Sequence, residues 1–410
     1  MRESNLMQAK SLSGWAIVTK FAHGRLTLRS CAKFCKLSTF EQTCSRNVNQ
    51  PGSHNAAVPG VWVLTGHKAG DNAQVIALAE ALGWPYVVKR FRYRGWELLT
   101  NRLLGATLAG IDRDASSDLA PPWPDLVITA GRRNEPVARW IKGRAGRARL
   151  VHVGRPWAPL DSFDLIVTTP QYFLPECANV LHNHLPLHGV NQDRLAQAAD
   201  EWRPRLEHLP RPWTALLVGG DSGPFVFTRA KGRRLGRQAN ELAQHSGGSL
   251  LASSSARTPA EAFAELQAQI TVPAHVHAWR AGQADNPYLA YLALADRLVV
   301  TGESMSMLTE AAYTGKPLYI FDPGDAGPWW RYWHNYRFKP LSHHFAMRFA
   351  PRRMHRDVGR IQQQLVRDGR AVWLGEPSPG GGGLQPPDDV ERAAERVRAL
   401  LGGVAGQGGR

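Results

Sequence analysis

The chain has 410 residues, 43% of them hydrophobic, a length that suits two buried cores better than one. Its 50 Lys and Arg against 34 Asp and Glu leave a formal net charge of +16, which favours an anionic partner: nucleic acid, anionic lipid or a phosphate-bearing substrate. The basic residues are scattered and show no zinc-finger, RNP or KH pattern, so nucleic acid is set aside, and no apolar window approaches the roughly 18 residues of a membrane-spanning helix.

In chain order, residues 1–55 carry Arg2, Lys10, Lys20, Arg25, Arg29, Lys33, Lys36 and Arg46 against only Glu3 and Glu41, the composition of a disordered basic leader resembling an organellar transit peptide. Gly14 to Val18 is too short for the apolar region of a secretory signal. Cys31, Cys35 and Cys44 lack the spacing of a zinc site and, with Cys177, read as free thiols of a reduced cytoplasmic protein.

Residues 56–205 read as a first Rossmann-like domain, which would take the acceptor. It opens on strand Val61 to Thr65, a turn from Gly66 to Asp71, and a helix whose Val75, Ile76, Ala79 and Leu82 share a face. Apolar runs at Tyr86–Val88, Leu126–Thr129, Leu150–Val153 and Leu165–Thr168 are expected as parallel strands buried on both faces. The Pro- and Arg-rich stretch Arg203–Pro212 is expected as the linker.

Residues 206–345 repeat the architecture: strand Ala215–Val218, glycine turn Gly219–Gly223, helix Gly236–His245, strand Ser249–Ala252, helix Pro259–Ile270, strand Arg297–Thr301, helix Met305–Tyr313 and strand Pro317–Phe321. Residues 346–410 read as a tail with helices over Val358–Arg367 and Val390–Leu401 around a Gly/Pro-rich spacer, Pro377–Pro387. The fold class is thus α/β, two Rossmann-like domains facing a cleft.

Ligands of open α/β sheets sit beyond the carboxyl ends of the strands, and three loops qualify. In Gly219, Gly220, Asp221, Ser222 and Gly223 the glycines let backbone approach a diphosphate, while Asp221 or Ser222 suits the cap of the next helix. In Ser253–Pro259, Arg257 suits phosphate oxygens, Ser255 adds a hydroxyl, and Thr258 and Pro259 suit a helix start. In Thr301–Glu310, Ser304 and Ser306 would bring hydroxyls to phosphate and Glu310 a carboxylate to a ribose, against a plain N-cap for Ser304 and a solvated helix residue for Glu310. Asp112-Arg113-Asp114 does not follow an apolar strand, and His182, His184 and His188 stand in a segment that reads as loop, so no metal is expected. The aromatic and Arg-rich stretch Pro328–Arg337 suits an interdomain contact or a membrane-facing surface.

Leu126–Arg133, Leu216–Gly223, Gly247–Leu251, Ser253–Pro259, Asn286–Leu289 and Val300–Phe321 together resemble the ELM family, bacterial relatives of a plant mitochondrial fission factor with a GT-B-like glycosyltransferase fold. The resemblance runs from about Val61 to Phe321, with two departures: Ala256 stands where a second basic residue is usual, and Glu303 where the strand-end carboxylate is commonly Asp. It implies substrate-binding roles for Arg132 and Glu303. A more distant similarity, to the lipid II synthase family, implies Asp71 as general base, with His67 in reserve, the phosphate turn at Gly219–Gly223 and the ribose carboxylate at Glu310. The alternative for Asp71 is an N-cap of the helix behind it.

The expected activity is a metal-independent glycosyltransferase, with no cofactor beyond its nucleotide diphosphate sugar donor and an acceptor of lipid-linked or cell-envelope type. It would be a cytoplasmic protein touching the inner membrane face peripherally. The rivals are a nucleotide-sugar epimerase, and a non-catalytic adaptor for a membrane or protein partner.

Overall fold

Short apolar runs bounded by turns become the strands of two parallel sheets. The computed structural model describes residues 58–94, 101–222, 225–283, 285–324, 348–349, 352, 355–377 and 387–402. In the first half β1 (Val61–Thr65), β2 (Tyr86–Arg90), β5 (Leu126–Ala130), β6 (Arg149–Val153), β7 (Leu165–Thr168) and β8 (Val180–His182) pair in the order β2-β1-β5-β6-β7-β8. A small antiparallel ribbon, β3 (Arg92–Tyr93) with β4 (Ile111–Asp112), stands apart from that sheet.

In the second half β9 (Trp213–Leu217), β10 (Ser249–Ser253), β11 (Ala274–His277), β12 (Arg297–Thr301), β13 (Leu318–Phe321) and β14 (Val372–Trp373) follow the order β11-β10-β9-β12-β13-β14. Both sheets are doubly wound, and each strand order reverses beside its opening strand, between β1 and β5 and between β9 and β12. Those two switch points are where such a fold opens a crevice for ligands.

The helices are α1 (Ala69–Leu82), α2 (Asn101–Leu104), α3 (Glu135–Ala145), α4 (Gln192–Leu206), α5 (Arg229–His245), α6 (Ala260–Gln267), α7 (Tyr288–Leu294), α8 (Met305–Tyr313), α9 (Gly359–Arg367) and α10 (Asp389–Gly402). Alternation along β1 sends Val61 and Val63 into one core and Trp62 and Leu64 into another, one on each face of the sheet; β9 does the same with Ala215 and Leu217 against Leu216. No described helix is long and apolar enough to cross a membrane.

Several boundaries differ from expectation. The linker expected at 203–212 begins inside α4, because Leu195, Ala199, Trp202 and Leu206 form one apolar face that carries the helix past Pro204 into the core of the second half. The tail is built into both halves: α9 buries Ile361 and Leu365 under the second sheet, β14 pairs with β13, and α10 buries Ala393, Ala394 and Val397 with α1 under the first. The segment around His182 is an edge strand, not a loop. Helix α5 starts at Arg229, where Thr228 caps it by accepting from Lys231 N–H; Asp221 and Ser222 do not. The leader, Gly223, residues 378–386 and the stretch Pro328–Arg337 lie outside the described residues.

Candidate functional site

At the first switch point β1 ends at Thr65 and the chain turns through Gly66, His67 and Lys68 into α1. Asn72 clasps this turn, its Oδ1 accepting from Gly66 N–H and its Nδ2 donating to Gly66 O, both at 2.8 Å. Lys68 holds the N-cap position with no side-chain cap among the described residues, and Asp71 lies in the first turn, so Asp71 is not the cap. Its carboxylate, 3.8 Å from Lys68 Nζ, reaches across to β5. There Gly131 has φ +77°, and a Cβ on it would stand 2.7 Å from Asp71 Oδ2; only glycine leaves the carboxylate its place.

Asp71 and His67 open onto a cavity of about 370 Å³ at the carboxyl ends of β1, β5 and β6, a size typical of small-molecule sites. Its walls include Lys68, Arg132, Arg133, Arg155 and Arg356. Aromatic rings hold these cations in place. Arg132 lies 5.0 Å from the Trp157 ring, and Arg155 lies 5.8 Å from Trp157 and 5.6 Å from Tyr172. His67 meets the Tyr93 ring edge-on, and its Nδ1 is 3.3 Å from Arg133 Nη1.

Beneath the floor Glu135 is fully buried and accepts from the N–H groups of Trp157 and Ala158 at 2.8 Å and from Asn101 Nδ2 at 2.7 Å. Burial pushes its carboxyl up to about 7 against those bonds. It thereby shapes the loop that carries Arg155 and Trp157. His152 packs behind it, and burial drives that imidazole down to about 3.

At the second switch point three loops meet. Gly219 N–H donates to Thr301 Oγ1 at 2.8 Å, Gly220 N–H to Glu303 Oε1 at 2.6 Å, and Asp221 N–H to Arg257 O at 3.1 Å. A Cβ on Gly219 would lie 2.2 Å from Glu303 Oε1, and one on Gly220, at φ +116°, 2.3 Å from Arg257 O. The glycines therefore permit loop-on-loop contact, and the amides expected to cradle a diphosphate are bonded within the protein.

The flanking hydroxyls are used in the same way. Ser255 Oγ donates to Gly219 O, and Thr258 Oγ1 lies 3.0 Å from both Val218 O and Gly219 O, so Thr258 is not the cap of α6; Pro259 holds that position. Asp221 Oδ1 accepts from Phe227 N–H, and the N–H of Ser222 donates to Phe225 O. Glu303 is buried, with Oε1 also 3.0 Å from Thr301 Oγ1 and Oε2 without a hydrogen-bond partner among the described residues; burial raises its pKa. It anchors the glycine turn from inside.

Arg257 and Ser306 remain as groups able to meet a ligand, while Ser304 is buried behind them. Arg257 is exposed and its guanidinium donates to Asp221 O at 3.1 Å and Ser304 Oγ at 3.3 Å. Ser304 holds the N-cap position of α8 without capping it by its side chain. Ser306 reaches the first half: a Cβ on Gly70 would lie 3.7 Å from its Oγ. The amino ends of α1 and α8 thus abut, one bearing Asp71 and the other Ser304, to which Arg257 of the loop between β10 and α6 donates.

Glu310 is elsewhere. It accepts a hydrogen bond from Tyr288 Oη and lines a separate cavity of about 270 Å³ with Ala73, Ile76 and Gly189. Burial lifts it to about 7. The structure does not bring it to the Arg257 loop, and the ribose role implied for it lacks that support. Asn72, Arg133, Arg155 and Arg356 were not singled out from the sequence; a glycine turn followed by an amide residue was the one available signal, for Asn72.

A family model described as Mitochondrial fission ELM1 matches residues 69–401. An uncharacterized protein of Rickettsia prowazekii (strain Madrid E) is 26% identical over 295 residues, 64% of this chain and 83% of that one. Mitochondrial fission protein ELM1 of Arabidopsis thaliana is 26% identical over 242 residues, 53% of this chain and 56% of its own, so the match spans little more than half of the plant protein. Among solved structures, Acinetobacter baumannii MurG is 14% identical, with 85% of this chain and 93% of that one covered at a TM-score of 0.39. The fold stated above rests on the strand order itself.

Proposed function

The chain belongs to the mitochondrial fission ELM1 family, and we propose that this member is a metal-independent glycosyltransferase that moves a sugar from a nucleotide diphosphate donor to an acceptor hydroxyl. The donor diphosphate sits at the amino end of α8, with Arg257 and Ser306. The acceptor enters the cavity of the first half. Asp71 takes the proton of the attacking hydroxyl, whose oxygen bonds to the anomeric carbon as the bond from that carbon to the diphosphate breaks. The leaving diphosphate carries away the electron pair, and Arg257 and the α8 dipole offset its charge.

One observation carries this reading: the amino ends of α1 and α8 abut at Gly70 and Ser306, which sets Asp71 across from the Arg257 loop. Because the Gly219 and Gly220 amides are bonded internally, the diphosphate is assigned to α8 and Arg257 and not to the glycine turn. A peripheral position on the inner membrane face belongs to the same reading and rests on the net charge of +16.

The test is release of nucleoside diphosphate from a panel of sugar donors, with and without cell-envelope extract as acceptor. Acceptor-dependent release that falls at least about 100-fold in Asp71→Asn, with donor affinity kept, is expected. Formation of a C2 epimer without acceptor would replace transfer by epimerisation. The internally bonded glycine turn favours a second reading, a non-catalytic adaptor that keeps the shell; absence of any donor binding would select it.

A further inference from the structure

The turn that leads into the donor-binding end of α8, Gly302–Ser304, is held from outside its own sheet. Gly302 follows β12, and its N–H donates to Phe321 O at the end of β13 at 2.9 Å. Its carbonyl accepts from Gln362 Nε2 of α9 at 2.6 Å. A Cβ on Gly302 would lie 2.7 Å from that nitrogen, so the glycine is what admits the amide. The next residue is Glu303, whose Oε1 takes the Gly220 N–H, and Ser304 holds the N-cap position of α8. The bond to Gln362 therefore fixes the peptide from which both the glycine-turn anchor and α8 depart.

Gln362 is buried on α9 beside Ile361, which is fully buried in the core of the second half. Packing alone does not call for an amide there. An apolar side chain of the same length would fill the space, whereas a buried amide is costly unless it is bonded. What Gln362 adds is a fixed direction for the Gly302 carbonyl.

The residues that lead into the same helix are tied to the other half. Asp357 N–H donates to Gln171 O at 2.9 Å, Arg356 Nε to Gln171 Oε1 at 3.2 Å, and Arg155 Nη1 to His355 O at 2.9 Å. Gln171 is itself buried just beyond β7, where its Nε2 donates to Thr169 Oγ1 at 3.0 Å. At the start of α9 the Arg360 guanidinium lies 3.9 Å from the Phe173 ring centroid. Phe173 has φ +44°, a left-handed conformation that no other non-glycine residue adopts among those described, and a strained residue persists where its surroundings hold it. Asp357 also braces the helix start, its Oδ1 accepting from Gly359 N–H at 2.9 Å. From Asp357 to Gln362 is about 8 Å at helical rise, so the first-half anchors and the donor turn are joined by little more than one rigid turn.

We propose that Gln362 is a positioning residue of the donor site, and that residues 355–362 form a strap through which the first half sets the Gly302–Ser304 turn. What the turn binds rests on the transferase reading; the strap rests on its own bonds. Displacing the strap from Gln171 and Phe173 slackens the hold of Gln362 on the Gly302 carbonyl, frees the amino end of α8 from its place beside Arg257, and weakens the grip on a diphosphate. Donor binding is in this way conditional on the two halves being docked.

The experiment measures amide hydrogen exchange across residues 301–305 of the full chain, and titrates the same proteins with inorganic pyrophosphate by calorimetry. Three variants are compared with wild type. Gln362→Met keeps the bulk and loses the donor; Phe173→Gly removes the ring under Arg360 in the first half; Ile361→Val loosens the α9 core without touching either tie. Exchange is expected to rise about tenfold in Gln362→Met and about threefold in Phe173→Gly, with pyrophosphate affinity falling by similar factors. Ile361→Val should lower the urea midpoint yet keep exchange and affinity within about twofold. Circular dichroism checks the fold of each variant, and Phe173→Gly decides the matter should Gln362→Met not fold. Exchange that stays at the wild-type rate in Phe173→Gly, or that rises as much in Ile361→Val as in Gln362→Met, overturns the proposal. A chain whose exchange responds as expected but which binds no pyrophosphate overturns the donor assignment and leaves the strap standing.

Discussion

Residues that look like ligand-binding groups divide here into those that hold loops and those that face a cavity. Gly220 is the clearest holder: its φ of +116° and the 2.3 Å approach of a Cβ to Arg257 O leave no room for a side chain. Gly220→Ala is expected to lower stability by about 2 kcal/mol or more, read as a reduced midpoint in urea with unchanged m. A midpoint equal to wild type would mean that the loops are not packed as described. Glu310 offers a test by pH. Burial lifts it from 4.5 to about 7, so between those values the folded chain keeps a proton that the unfolded chain has lost. Its contribution to stability is full below about 4.5 and is lost as pH rises through about 7. Glu135 acts with the same sign, and His152 and His188, held down to about 3 and about 4, act with the opposite sign below 6.5. The comparison must therefore be wild type against Glu310→Gln. The melting temperature of wild type minus that of the variant should fall between about pH 5 and about pH 7.5; a flat difference would show that Glu310 is not buried against Tyr288.

Among the elements, α10 has the most to answer for, because it lies far along the chain and closes the core of the first half. Asp389 accepts from the N–H groups of His184 and Leu185 at 2.8 and 2.9 Å, and Arg392 lies 2.8 Å from the same carboxylate. Asp389→Ala would leave the buried Leu185 N–H and the partly buried His184 N–H without their acceptor, while Arg392 keeps His182 O and Asn183 Oδ1; a loss of about 2 kcal/mol in thermal or urea unfolding is expected, whereas exposed Glu395→Ala should change little. Strands buried on both faces were legible as continuous apolar runs, and Val61–Thr65, Leu165–Thr168 and Arg297–Thr301 fall where expected. The edge strands β8, β11 and β14 were not, because they are short and carry His182, His275 or Trp373 in half-buried places where no apolar run is needed. In the candidate site, the meeting of the glycine, serine and Thr301–Ser306 loops was legible from strand-end position alone. The roles inside it were not: whether Glu303 faces ligand or anchors Gly220 depends on packing between loops 83 residues apart. Of the cations around the first-half cavity only Arg132 was named from the sequence, since Arg155 and Arg356 come from distant segments.

On the scale of the whole molecule the two switch points are brought together, and charge supplies the expected kinetics. With a formal net charge of +16, the chain should draw an anionic donor faster at low ionic strength, so the association rate of a nucleotide diphosphate sugar should fall by about tenfold or more between about 20 mM and about 300 mM salt. The most direct measurement of the central claim is thermal denaturation of the full chain in the presence of UDP, GDP, TDP and CMP sugars, repeated with Arg257→Ala and Asp71→Asn. The account predicts that at least one nucleotide diphosphate sugar raises the melting temperature by several degrees, that Arg257→Ala removes the shift, and that Asp71→Asn keeps it. A chain indifferent to every compound, or a shift that survives in Arg257→Ala, would contradict it.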